Sequence, residues 1–321
     1  MAVNLQDNLV AIPRTDVTAV PLVLGGNTFG WTSDREESFG VLDAFRQAGG
    51  TLIDTADVYS AWAEGHGGGE SEAILGEWMA ARGNRDDVVI ATKVGMLAPF
   101  DKQDRATVTA ALDSSLSRLR TDRVDLYYAH QDDENVAIEE HAETYDALVR
   151  AGKIRYVGIS NYSPERMRRW FEHAAAEDLT VPVAIQPQYN LVFRKDYEQG
   201  YRPVAEHFDA AVFPYFSLAS GFLTGKYRSV ADLAGTAREG FAQGYFSEQG
   251  LTVVAELVRV AEAHEAEPAT VALAWLLAKG ITAPIASART VEQLPALLAA
   301  RSLRLTAVDV AALDAASQPF A

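Results

Sequence analysis

The stretch Val88-Val89-Ile90-Ala91-Thr92-Lys93-Val94-Gly95, continued through the amphipathic segment 104–119 to Val124-Asp125-Leu126-Tyr127-Tyr128-Ala129-His130, decides the architecture. Two short apolar runs flank a longer stretch of helical periodicity. That is the pattern of a strand, a crossover helix and a second strand parallel to the first. Working outward, the alternation recurs along the whole chain, with candidate strands at 22–24, 51–53, 88–92, 124–128, 154–158, 184–186, 211–215 and 283–285. Candidate helices cover 34–48, 70–82, 104–119, 138–150, 163–176, 251–266, 268–279 and 291–299, and a terminal helix covers 306–316. The first helix opens with Ser33 followed by Glu36, a capping pattern, and stops at Gly49-Gly50.

A chain of 321 residues fits either two average domains or one large α/β barrel. No long linker, low-complexity tract or charge block divides it, so the expectation is a single (β/α)8 TIM barrel over residues 1–321. The competing doubly wound sheet normally carries Gly-x-Gly-x-x-Gly between an early strand and helix. Here the glycine cluster Gly65 to Gly69 follows Trp62-Ala63-Glu64 instead of an apolar run and reads as a flexible loop. The least periodic segment, 228–250, is the expected mobile flap.

Composition narrows the function classes. With 48% hydrophobic residues a core can form, yet no apolar stretch is long enough to cross a bilayer. The N-terminal residues lack the charged start and apolar centre of a secretion signal, so a cytoplasmic location is expected. Zero cysteines exclude disulfides, thiolate metal sites and thiol catalysis. His66, His141, His173, His207 and His264 show no metal-like pairing, and no metal is expected. A formal net charge of −16 argues against nucleic acid or an anionic membrane as partner. An anionic cofactor would need a local cluster of donors and cations.

Four residues carry the chemistry: Asp54 and Tyr59 in Ile53-Asp54-Thr55-Ala56-Asp57-Val58-Tyr59, Lys93, and His130. Barrel active sites are built where strands end, and Asp54, Lys93 and His130 each lie at such an end. A free phenol has a pKa of ~10, and a neighbouring ammonium favours its phenolate. Lys93 can supply that charge, Asp54 can hold Lys93 protonated, and His130 can share a hydrogen bond with a carbonyl oxygen. Alone, each has a plainer reading: a strand-end carboxylate, a core aromatic, a loop lysine, a satisfied core histidine. Ser160 and Asn161 could simply cap the helix near Pro164, whereas Gln186 closes an apolar run and needs a polar partner. Trp31 and Trp62, on early loops, either line a substrate site or close the barrel rim. Trp78, Trp170 and Trp275 fall in helical patterns and read as packing residues.

With these motifs in order, the chain resembles the aldo-keto reductase superfamily from Leu24-Gly25-Gly26 to Ala288-Arg289-Thr290-Val291-Glu292-Gln293-Leu294. The resemblance implies a catalytic tetrad of Asp54, Tyr59, Lys93 and His130, and it matches Gly69-Glu70-Ser71-Glu72 to a family element. It implies that Ser160, Asn161 and Gln186 hold a nicotinamide carboxamide while Tyr215 stacks on the ring. Gly26 and Asn27 after the first strand, and Ser217, Leu218, Gly221 and Lys226 in the segment 216–226, are the implied cofactor and pyrophosphate contacts. Ser287, Ala288, Arg289 and Gln293 match the adenosine end, and Arg238 is a further candidate phosphate contact. The implied function is reduction of an aldehyde or ketone with NADPH, NADH being possible, with Tyr59 protonating the nascent alkoxide. Ser287 stands where relatives often carry Gly or Lys, and Ala296-Leu297 replaces a Glu-Asn pair that commonly contacts adenine.

Two other function classes compete: a nucleotide-binding sensor subunit with little turnover, and a non-redox barrel enzyme acting on sugar phosphates. The intact tetrad speaks against the first, and the fit of 216–226 to a dinucleotide strap against the second. The expected partner is a small carbonyl compound in a fairly open site, and the expected state is a monomer.

Overall fold

The unit from Val88 to His130 folds as strand, helix and parallel strand; the computed structural model describes residues 9–227, 229–237 and 239–321. An antiparallel hairpin, β1 (Val10–Ala11) and β2 (Thr18–Ala19), comes first. It is followed by β3 (Val23–Gly25), β4 (Leu52–Asp54), β5 (Val89–Val94), β6 (Val124–Ala129), β7 (Ile154–Ser160), β8 (Ala184–Gln186), β9 (Ala211–Val212) and β10 (Ile285–Ala286). These eight strands pair in parallel in the order β10-β3-β4-β5-β6-β7-β8-β9. The two edges meet, since Ala283 N–H donates to Val212 O at 3.4 Å and Ile285 N–H to Pro214 O at 3.0 Å. The sheet thus curls into the expected (β/α)8 barrel.

Around it lie α1 (Arg35–Gln47), α2 (Glu70–Arg82), α3 (Arg105–Leu119), α4 (Ile138–Arg150), α5 (Pro164–Ala176), α6 (Arg202–His207), α7 (Glu239–Ala242), α8 (Glu248–Ala263), α9 (Pro268–Ala278), α10 (Leu294–Ala299) and α11 (Ala307–Ala316). None of the described helices is long and apolar enough to cross a membrane.

Strand alternation divides the core in two. Leu52, Ala91, Leu126, Tyr128, Ala184 and Phe213 fill the barrel interior, while their neighbours Ile53, Ile90, Tyr127 and Ile185 pack outward under the helices. Trp78, Trp170 and Trp275 are fully buried in the outer layer, as packing residues should be. The hairpin, for which the sequence pattern gave no signal, adds Ile12, Val17 and Ala19 to the inner cluster and closes the N-terminal mouth. Its turn is pinned by the Arg14 guanidinium, which donates to Pro182 O at 2.6 Å and Asp209 O at 3.0 Å.

Several boundaries differ from the sequence reading. The cap of α1 is Asp34 with Glu37, not Ser33 with Glu36: each side chain bonds the other's backbone N–H. Strand β9 stops at Val212 instead of continuing to 215, because Pro214 has no N–H to give to a ladder. Helix α8 begins three residues earlier than expected, at the Ser247 cap, and ends before His264 and the left-handed Glu265. Helix α6, preceded by a π turn at Tyr197–Tyr201, is an element the sequence reading lacked. The segment expected to be an irregular flap is built of short helical turns at Val230–Leu233, α7 and Gln243–Tyr245, with Leu233 and Ala242 buried together with Tyr227.

Candidate active site

Three strand ends bring the chemical residues together. Asp54 is the last residue of β4, Lys93 the penultimate residue of β5, and His130 follows β6 directly. Lys93 is fully buried and Asp54 is 1% exposed. The Lys93 ammonium spends all three of its protons: on Asp54 Oδ2 at 2.7 Å, Thr55 O at 2.7 Å and the Tyr59 hydroxyl oxygen at 2.8 Å. After Asp54 the chain turns back on itself through Tyr59 N–H to Ala56 O at 3.3 Å, with Ser60 in the left-handed region. That turn brings the Tyr59 hydroxyl, five residues away in sequence, to donate to Asp54 Oδ2 at 2.9 Å. His130 faces Tyr59 edge-on at 6.5 Å between ring centroids, and its Nδ1 is buried without a hydrogen-bond partner.

Burial sets the electrostatics. It pushes the Lys93 ammonium down from its usual value against the opposing pull of Asp54. It holds the His130 imidazole well below the usual range, helped by the positive charge of Lys93, so the ring is neutral at neutral pH. The Tyr59 phenol is raised well above its usual value, first by burial and then by the charge and hydrogen bond of Asp54. Whatever Lys93 contributes towards the phenolate is outweighed: burial and Asp54 leave the desolvated phenolate disfavoured.

From Asp54 a hydrogen-bonded chain runs across the mouth of the barrel. Gln186 Nε2 donates to Asp54 Oδ1 at 2.8 Å, and Ser160 Oγ donates to Gln186 O at 2.8 Å. Asn161 Nδ2 donates to Ser160 Oγ at 3.1 Å and to His130 O at 2.8 Å, while the half-buried Tyr215 donates its hydroxyl to Asn161 Oδ1 at 2.9 Å. The cap of α5 is Ser163, so capping accounts for neither Ser160 nor Asn161. The polar partner that Gln186 required is Asp54.

Beyond Tyr215 lies a loop of unusual backbone. Phe216, Ala219 and Ser220 all have positive φ, as does Gly221. Such non-glycine residues are costly and persist where surrounding structure enforces them. Asn190 Nδ2 does so by donating to Phe216 O at 2.9 Å, and the buried Ser217 hydroxyl by donating to Pro214 O at 2.9 Å. Ser220 Oγ is buried with no partner, Leu218 is half-buried, and Lys226 is exposed.

The segment matched to the adenosine end forms a turn fastened to the loop after β3. Ser33 Oγ donates to Arg289 O at 2.9 Å and Thr28 Oγ1 to Ala288 O at 3.3 Å. Arg289 N–H donates to Gln293 Oε1 at 2.9 Å, and Arg289 is exposed. Ser287 Oγ lies 2.5 Å from Asn27 Oδ1. Gly26 O accepts from Ser71 Oγ at 2.8 Å, and a Cβ on Gly26 would stand 2.8 Å from that oxygen. Leu297 is a core residue and Ala296 O accepts from Thr270 Oγ1 at 2.6 Å, so α10 presents no polar side chain at these two positions. Arg238 lies outside the described residues.

Two residues near the quartet were not singled out from sequence. Phe241 of α7 completes an aromatic wall, with its ring 6.2 Å from Trp31 and 6.3 Å from Trp62; those two meet edge to face at 5.4 Å, and Trp62 lies 5.8 Å from Tyr59. Asp57, between Asp54 and Tyr59, is fully buried, and burial pushes its carboxyl up to about 8. Neither has a local sequence signal, because each acquires meaning only from distant partners. Among the described residues no group of three or more His, Asp or Glu side chains could hold a metal ion.

The model of the aldo/keto reductase family matches residues 21–318. The chain is 33% identical over 316 residues to the norsolorinic acid reductase stcV of Emericella nidulans, covering 92% of this chain and 78% of that protein. It is 31% identical over 337 residues to protein tas of Escherichia coli, covering 96% and 97%, and 31% identical over 293 residues to the aldo-keto reductase str7 of Strobilurus tenacellus, covering 89% and 82%. By fold, by the order of its motifs and by the extent of this match, the chain belongs to the aldo/keto reductase family.

Proposed function

We propose that this oxidoreductase reduces an aldehyde or ketone to an alcohol with NADPH, and that Tyr59 delivers the proton. The observation that carries the reading is the Tyr59 hydroxyl held between Asp54 Oδ2 at 2.9 Å and Lys93 Nζ at 2.8 Å, at the open end of the barrel. Bound cofactor supplies the hydride. The residues suited to hold it are Ser160, Asn161 and Gln186 for a carboxamide, the half-buried Tyr215 ring for a stack, and the loop 216–221 with Lys226 for phosphate. The partnerless Ser220 hydroxyl and the enforced positive-φ backbone of that loop support this fit, since both are costs that a ligand can offset. The exposed Arg289 favours the 2′-phosphate of NADPH.

The raised phenol suits one direction of the reaction. An alkoxide is about as basic as hydroxide and far more basic than a phenolate, so a buried phenol remains acid enough to protonate it. Alcohol oxidation needs the phenolate, which burial and Asp54 both disfavour here. Neutral His130 can orient a carbonyl oxygen without competing as an acid. The aromatic wall of Trp31, Trp62 and Phe241 favours flat, apolar substrates over small polar ones.

The test is NADPH fluorescence quenching, followed by absorbance decay with a panel of aromatic and aliphatic carbonyls. We expect saturable binding and turnover. Absence of binding would sink the proposal, and binding with no turnover on any carbonyl would favour a sensor.

A further inference from the structure

Behind Lys93 lies a second group of buried charges that carbonyl reduction leaves unused. Thr92 and Lys93 are consecutive strand residues, so their side chains leave opposite faces of β5. Lys93 reaches into the barrel to Asp54, whereas Thr92 Oγ1 donates outward to Glu72 Oε1 at 2.5 Å. Glu72, on α2, is fully buried, and its other oxygen accepts from Arg118 Nε of α3 at 2.6 Å. The two helices can approach this closely because residue 76 is glycine: a Cβ there would stand 2.2 Å from Arg118 O. Asp57 joins from the loop after β4, its N–H 3.5 Å from Lys93 O. Its side chain is 0% exposed, and neither carboxylate oxygen has a hydrogen-bond partner among the described residues.

The charges in this region do not balance if every group is ionised. Asp54 pairs with Lys93 and Glu72 with Arg118, which uses both cations. A third carboxylate would be buried with no counter-ion of its own and only the Val58 N–H to turn to, one of the most expensive arrangements a protein can hold. The other titratable groups acting on Asp57 are the buried phenols Tyr127 of β6 and Tyr145 of α4, and neither adds positive charge. Burial and then the charge of Glu72 raise the Asp57 carboxyl, against the weaker opposing pulls of Arg118, the Val58 N–H and Lys93.

We propose that Asp57 is kept as the neutral acid at neutral pH and that its charge state, acting through Lys93, governs how readily Tyr59 releases its proton. Asp57 is then a positioning residue, touching neither substrate nor cofactor. On alkalinisation its proton passes to solvent, and the new negative charge cancels part of the Lys93 field that stabilises the phenolate left after proton transfer. Reduction slows, without any change in the residues that bind substrate.

The rate effect rests on the carbonyl-reductase reading; the charge state of Asp57 does not. Infrared difference spectra of the full chain between neutral and alkaline pH test the latter without turnover. We expect the wild type to lose a protonated-carboxyl C=O band with a midpoint of about 8, and Asp57→Asn to lack that band. A band absent from the wild type at neutral pH, or unchanged in the variant, overturns the proposal. With a carbonyl that turns over, wild-type kcat should step down ~5-fold to a lower plateau through the same midpoint. Asp57→Asn, neutral at every pH, should show no step, while Asp57→Glu should retain one. A step of wild-type size in Asp57→Asn also overturns the proposal. Should Asp57→Asn not fold, Asp57→Glu decides: its band and its step must move together in pH, and movement of one alone contradicts the coupling.

Discussion

At its two mouths the barrel treats buried carboxylates in opposite ways. At the N-terminal mouth Asp125 is 2% exposed and saturated: it accepts from Ile90 N–H at 2.9 Å, lies 2.9 Å from the Arg85 guanidinium, and accepts from Arg155 at 3.1 Å. Arg155 in turn bonds Asp16 of the hairpin at 2.6 Å. At the C-terminal mouth Asp54 is equally buried and well bonded, yet Asp57 and His130 Nδ1 beside it have no partner. Native proteins pair nearly all buried polar groups, so unpaired ones mark places where structure serves something other than stability. One mouth holds the barrel together, and the other keeps groups poised.

The largest effect is expected at Asp125. Asp125→Ala takes one acceptor from each of two arginines, which keep others, and the side-chain acceptor from a strand N–H, and should lower stability by about 3 kcal/mol in urea unfolding, with kcat of the folded protein unchanged. A loss of kcat without a loss of stability would reverse the roles assigned to the two mouths.

Next in size is the pH dependence of stability. His141 is fully buried against Tyr162, and burial, then Arg166, holds it down from 6.5 to about 4. Between these values the unfolded chain binds a proton that the native state refuses. Stability should therefore fall as pH drops from 6.5 towards 4, by up to about 3 kcal/mol, and His141→Gln should flatten that fall in a pH series of urea melts. Asp57 works with the opposite sign: its folded value is raised, so its contribution is present at acid pH and is lost as pH rises towards about 8.

The smallest effect belongs to the aromatic wall. Phe241→Ala should raise KM for flat aromatic carbonyls ~5-fold, about 1 kcal/mol, and leave that of a small aliphatic aldehyde unchanged. Equal changes for both substrates would remove the wall from substrate selection.

The C-terminal mouth was the more legible of the two in the sequence. Asp54, Lys93 and His130 sit at the ends of apolar runs, and one-dimensional alternation places strand ends within a residue or two. The helices at Glu70–Arg82 and Ile138–Arg150 were readable to the residue, the first from the glycines Gly69 and Gly83 that bound it and the second from its amphipathic periodicity. The hairpin escaped because each of its strands spans only two residues and its anchors, Pro182 and Asp209, are more than 160 positions from Arg14. Helix α6 escaped because Pro203 and a π turn disguise a short element. The residue types of Asp54, Tyr59, Lys93 and His130 were legible but not their electrostatics: whether Lys93 or burial governs Tyr59 depends on desolvation, which no spacing encodes. Asp57 looked like one more acidic residue in a chain of net charge −16, until the fold placed it beside Glu72 with both cations already taken.

In the proposed reaction Tyr59 delivers the proton while other groups hold the cofactor. Tyr59→Phe tests it directly, by NADPH titration and steady-state carbonyl reduction on the same preparation. Cofactor affinity should stay within about threefold of wild type while kcat falls at least ~100-fold. A variant that binds NADPH normally and retains wild-type kcat would contradict it.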